Sequence, residues 1–161
     1  MHMIIKAIVP GRDKKEALAN AEAVFEDLVE QGCFDYYSLL TEKHSRWYNS
    51  GIPAVAEVDS PEGKELIEAA MEHTKDESRE HLNKIKSILA KATGEELVEG
   101  ESRIALDLRH YCYCIGQYAG PYVWLYNRYG EGIRTQLELK WALQKENEKE
   151  KLWVVSTDVH F

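Results

Sequence analysis

The sequence predicts an α+β fold: a mixed, twisted sheet of about five or six strands, with two long helices and one shorter helix packed mainly on one face. Three observations carry this. Residues 3–9 (MIIKAIV) form a run rich in β-branched side chains. A capped segment follows, with apolar residues at a 3.6-residue period. The chain closes on an alternating segment, residues 152–160, that reads as a final strand.

A length of 161 residues, 44% apolar and 30% charged, suits one domain over 1–161 with a real core. No apolar run approaches the roughly 18 residues that cross a bilayer. The start lacks a basic leader and a long apolar stretch, so no membrane association and a cytoplasmic setting are expected. Three cysteines, Cys33, Cys112 and Cys114, do not make a disulfide framework. The net charge of −8 disfavours nucleic acid as a partner. Residues 102–145 depart from that acidity, with six basic and three acidic side chains, and could hold a small anion.

Along the chain, Pro10-Gly11 ends the first strand, and Asp13 with Glu16 resembles a capping box. Ala17, Leu18, Ala21, Val24, Phe25, Leu28 and Val29 then share one helical face, which Gly32 closes. Residues 34–40 read as a second strand, 41–53 as a loop holding Arg46, Trp47 and Tyr48, and 54–58 as a short strand. Asp59-Ser60-Pro61 is a strong helix start for a segment that could run to residue 92. Its inward stripe is interrupted by Thr74, Ser78 and His81, so either the helix breaks there or its middle faces something polar. Residues 95–100 read as an acidic linker, and 102–108 fit helix and strand equally. Residues 109–118 and 122–127 read as a β-hairpin about Ala119-Gly120-Pro121. Thr135 and Glu138 cap a helix to about Lys145. Residues 146–151 read as a charged loop before the last strand, and the run 122–160 favours a right-handed parallel crossover.

The principal anomaly is aromatic. On a hairpin, Tyr111 and Tyr113 share one face of the first strand, and Tyr122, Trp124 and Tyr126 one face of the second, with Tyr118 and Tyr129 nearby. Such a face can pack under the 41–53 loop, form a dimer or partner interface, or stack a planar ligand whose anionic group Arg109, Arg128 or Arg134 would hold. The expected function is accordingly a non-catalytic binding or regulatory domain, a homodimer joined by that face. The alternatives are a protein binding a nucleotide or other small anionic ligand near the Gly130–Thr135 turn, and a metal- or thiol-dependent enzyme. His110, Cys112, Cys114 and His160 are weak metal candidates, since their spacing is unlike the usual zinc pairs. The Gly130 region matches neither a dinucleotide fingerprint nor a phosphate loop, and no nucleophile motif is present. No cofactor is expected.

Overall fold

The computed structural model describes residues 1–147 and 149–161; residue 148, within the loop expected over 146–151, lies outside them. The α+β class and the mixed sheet are as expected. Strand β1 (His2–Pro10) lies at the centre and pairs antiparallel along its whole length with β5 (Leu152–His160), from His2↔His160 to Pro10↔Leu152. The outer edge of β5 takes two short strands end to end: β2 (Tyr36–Leu39) beside its last residues and β3 (Val55–Glu57) beside its first. On the far side of β1, β4 (Leu125–Tyr126) runs parallel. The expected crossover from β4 to β5 is thus not formed, because β1 stands between them and β5 runs antiparallel to it.

Helix α1 (Lys14–Glu30) covers one face. Asp13 caps it, its carboxylate accepting the N–H groups of Lys15 (3.0 Å) and Glu16 (2.9 Å). Glu16 reaches back to the Arg12 N–H (2.7 Å) rather than to Asp13, so the resemblance to a capping box is partial. Ala17, Ala21, Val24, Phe25 and Leu28 pack on Met3, Ile5, Ala7 and Val9 of β1 and Trp153, Val155 and Val159 of β5. Each large side chain fully buried here contributes about 1.5–3 kcal/mol.

Helix α2 (Pro61–Leu89) covers the opposite face, so the helices divide between both faces instead of gathering on one. Its first half packs Leu66, Ile67, Ala70 and Met71 onto Ile8, Leu125 and Val154. Its second half runs off the sheet unbroken to Leu89. The polar strip Thr74, Ser78 and His81 does face inward, and helix α4 (Arg103–Gly116) packs against this half of α2. Thr74 Oγ1 donates to Ala70 O (3.0 Å) and Ser78 Oγ to Thr74 O (2.7 Å), which satisfies both hydroxyls locally. Leu82 and Leu89, on this second half, are exposed.

Helix α4 overturns the expected hairpin. Ser102 caps it through its hydroxyl, which accepts the Ala105 N–H (3.2 Å), and the segment is helical through Gly116. The buried or half-buried residues Ile104, Ala105, Leu108, Tyr111, Cys114 and Ile115 recur at three and four, a helical period that outweighs the strand preference of the aromatic and β-branched residues. The acidic segment expected to be a linker also contains a helix, α3 (Gly94–Glu99), closed by a full capping box of Thr93 and Glu96. The expected capping box at Thr135 and Glu138 starts the last helix, α5 (Gln136–Ala142).

Candidate functional site

With residues 103–116 helical, the sequence-predicted site disperses. Tyr113 is exposed on α4, while Tyr118 and Tyr129, also exposed, line one groove with Arg128. Tyr111 and Tyr122 close on His81, with ring centroids 5.6 and 5.0 Å away. Tyr126 is fully buried; its hydroxyl donates to Gly120 O (3.2 Å) and accepts the Gly120 N–H (3.0 Å), and burial drives its phenol far up from the usual value. The arginines do not converge either. Arg109 lies against Gly100. Arg128 lines a groove of about 780 Å³ over residues 127–146, but its guanidinium is already held by Glu146 (3.0 Å) and Glu150 (3.0 Å). Arg134 donates to Gln117 O (2.6 Å), Cys114 O (3.5 Å) and Ser78 Oγ (3.1 Å), a clamp joining α2 to α4.

The weak metal set separates for the same reason. Cys112 and Cys114 would share a face on a strand; on the helix Cys112 is exposed and Cys114 buried. Cys114 Sγ lies 3.7 Å from His110 Nε2, one turn away, while burial raises its thiol above the usual value. His160 is engaged elsewhere, with Nδ1 2.8 Å from Asp35 and its ring stacked on Tyr36. Among the described residues no group of three or more His, Cys, Asp or Glu could hold a metal.

A different site stands out at Lys6. Lys6 lies mid-strand on the α2 face of β1, paired across to Ser156 of β5 and to Leu125 of β4. It is only 6% exposed. Burial alone pulls its amine down from 10.5 to about 8. No charged neighbour contributes to that shift, and among the described residues the amine makes no ion pair and no side-chain hydrogen bond. A cation in such a place retains the cost of its lost hydration.

The lysine opens on a cavity of about 660 Å³. Its floor is His2, Ile4 and Lys6; one wall is α2, with Leu66, Ala69 and His73; the other is the 41–53 loop, with Trp47, Ile52 and Pro53; and Trp124 closes the β4 side. The His73 and Trp124 rings lie 5.0 Å apart. Glu62 and Glu65 stand exposed at the α2 rim. Of the four buried side-chain polar atoms without partners among the described residues, two belong to residues beside this cavity: Nε1 of Trp124 and Oγ of Ser156, the latter across from the lysine.

The loop wall is fixed from below by Asp158, itself 2% exposed. Its carboxylate accepts hydrogen bonds from His2 Nδ1 (2.9 Å), Arg46 N (2.9 Å) and Ser45 Oγ (3.3 Å). These bonds position Trp47, whose ring centroid lies 6.1 Å from that of His2. Of the candidate ligand or interface residues read from the sequence, Trp124 alone lines this cavity. Lys6 carried a signal that the run MIIKAIV offered: a charged residue amid apolar strand formers, where a central strand buries both faces.

Fold and site together define a small α+β domain with a lysine-floored, tryptophan-walled cavity between its sheet and its longest helix. Within that class, the chain belongs to the family described as a domain of unknown function, DUF7995, which matches residues 1–161. Neither curated proteins nor solved structures give a match. Among the described residues no helix is long and apolar enough to cross a membrane.

Proposed function

We propose that the protein is a small-molecule-binding domain whose ligand occupies the Lys6 cavity. The ligand places a flat, largely apolar body against Trp47 and Trp124 and an electron-rich oxygen at the lysine amine. The observation that carries this is Lys6 itself, buried and, among the described residues, without a partner in a space large enough for a ligand. An apolar residue there would fold at lower cost, whereas an acceptor oxygen from a ligand would restore part of the lost solvation.

Tryptophan fluorescence provides the test. Titration with a panel of small aromatic carboxylates, phosphates and carbonyl compounds is expected to give a saturable change with at least one of them. The same compound at 100-fold its Kd should stabilise the fold by about 2.7 kcal/mol. Lys6→Met should weaken the response, and a flat response across the panel overturns the proposal. A cytoplasmic setting accords with cysteines that form no disulfide among the described residues.

Self-association is a second reading, now moved from the absent hairpin to α2 and α4, where Leu82, Leu89, Leu106 and Tyr113 are exposed. Sedimentation over a range of concentrations tests it; a monomer throughout removes it.

A further inference from the structure

We propose that Lys6 forms a reversible imine with an aldehyde or ketone that enters the cavity between β1 and α2. This rests on the reading that the cavity takes a ligand, and adds that the ligand carries a carbonyl group. Three features of the site support it. The amine stands at the floor of a cavity that opens at the α2 rim and is engaged by no carboxylate or other side chain among the described residues. Trp47, Trp124, Ile52, Pro53 and Leu66 make much of the lining apolar, suited to the body of a flat carbonyl compound. The imidazoles of His2 and His73 line the same space and can carry protons to and from it.

The Lys6 nitrogen lone pair attacks the carbonyl carbon, and the carbonyl π pair moves to oxygen. Nitrogen loses a proton and oxygen gains one, giving a carbinolamine. A proton delivered to the hydroxyl lets nitrogen's lone pair expel it as water, and the iminium so formed gives up its N–H proton to leave the neutral C=N bond, so no net proton is consumed. No oxidant, reductant or metal is needed, and hydrolysis reverses the sequence. A desolvated lysine is suited to this, since only the neutral amine is a nucleophile. With its amine near 8, Lys6 has a neutral fraction at pH 7 on the order of a hundredfold larger than that of a solvated lysine.

The test uses the full chain with benzaldehyde, and benzyl alcohol as a flat analogue lacking the carbonyl. Sodium cyanoborohydride reduces any imine to a stable benzylamine, which peptide mass spectrometry locates. Labelling of Lys6 about tenfold or more faster than of any exposed lysine at pH 7 is the expected result. This reading comes from the unmodified protein and needs no variant to fold. Lys6→Arg, which keeps the charge and removes the nucleophile, should abolish labelling of that peptide. If benzyl alcohol and benzaldehyde both perturb tryptophan fluorescence but Lys6 is labelled no faster than exposed lysines, imine formation is overturned and ligand binding stands. If neither compound perturbs fluorescence and Lys6 is not labelled, the carbonyl proposal is overturned; a response to another member of the binding panel then decides the broader reading separately.

Discussion

Replacing Lys6 by methionine should stabilise the protein while weakening binding in the proposed site. The magnitude follows from the amine's fall from 10.5 to about 8, which at 1.36 kcal/mol per pH unit is about 3 kcal/mol of native-state cost. Methionine fills the volume of the lysine stem without a charge to desolvate. The variant is therefore expected to gain about 2–3 kcal/mol at pH 7, a shift of about 1 M in the midpoint of urea unfolding.

The pH dependence fixes the cause. Below pH 8 both folded and unfolded chains hold the Lys6 proton, and the wild type bears the full cost. Between about 8 and 10.5 the unfolded chain keeps a proton that the native chain has released, so wild-type stability rises with pH across that window relative to the variant. His2, Glu62, Glu65 and His73 also face this space from β1 and α2, and Asp158 of β5 lies on the same face of the sheet diagonal to Lys6. Comparing the two proteins at each pH removes their common contribution. Urea titrations at pH 7, 8, 9 and 10 supply the curves. A variant less stable than wild type at pH 7, or a difference that stays constant to pH 10, would refute the reasoning.

Other positions give narrower expectations. Asp158→Ala strands the donors of His2, Ser45 and Arg46, and should cost about 3 kcal/mol in urea unfolding while weakening ligand-induced changes at Trp47. Arg134→Met removes the clamp on Gln117, Cys114 and Ser78; a loss of about 2 kcal/mol is expected, with amide exchange faster in α4 than in β1, and equal acceleration in both would count against the clamp. Gly132→Ala puts a Cβ 2.3 Å from the carbonyl oxygen of Tyr118 and 2.6 Å from Val123 Cγ1; backbone must move, and the melting temperature should fall by several degrees, whereas an unchanged value would show the turn to be slack.

The parts of the fold legible in the sequence were those where one signal dominated. Strand β1, helix α1 with its Asp13 cap, and the Ser60-Pro61 start of α2 each combined composition, period and a terminator. Helix α4 was misread because Tyr111, Cys112, Tyr113 and Cys114 satisfy a two-residue alternation locally. The period that decides the matter spans Ile104 to Ile115, a stretch the hairpin reading cut at Arg109. That one error carried the functional reading with it, since it placed rings on a common face that the helix and the turn at Gly120 scatter. Trp47 and Trp124 lie 77 positions apart in the sequence and meet only because β4 joins β1 from one side while the 41–53 loop folds over β5 from the other. No local pattern encodes that meeting. Lys6 was visible, but it gains meaning only once both faces of β1 are known to be covered.

The position of Asp158 explains why Lys6 is left open. Ile4 pairs with Asp158 and Lys6 with Ser156, so the lysine and this carboxylate are diagonal neighbours on one face of adjacent strands, about 7–8 Å apart at the backbone and within reach of a long side chain. An ion pair there would hold the amine protonated and raise its pKa. Instead both Asp158 oxygens are taken, one by His2 and the other by Ser45 and Arg46, and the carboxylate is used to hold down the loop that carries Trp47. The same residue thus builds the cavity wall and withholds the counter-charge. A lysine kept only for stability would be paired with it; one kept for an incoming ligand would be left as Lys6 is, and Asp158→Asn, which weakens those bonds and removes the carboxylate's charge, should loosen the Trp47 wall and leave the Lys6 pKa unchanged; a fall in that pKa on NMR titration of the lysine amine would show that Asp158 does act as its counter-charge.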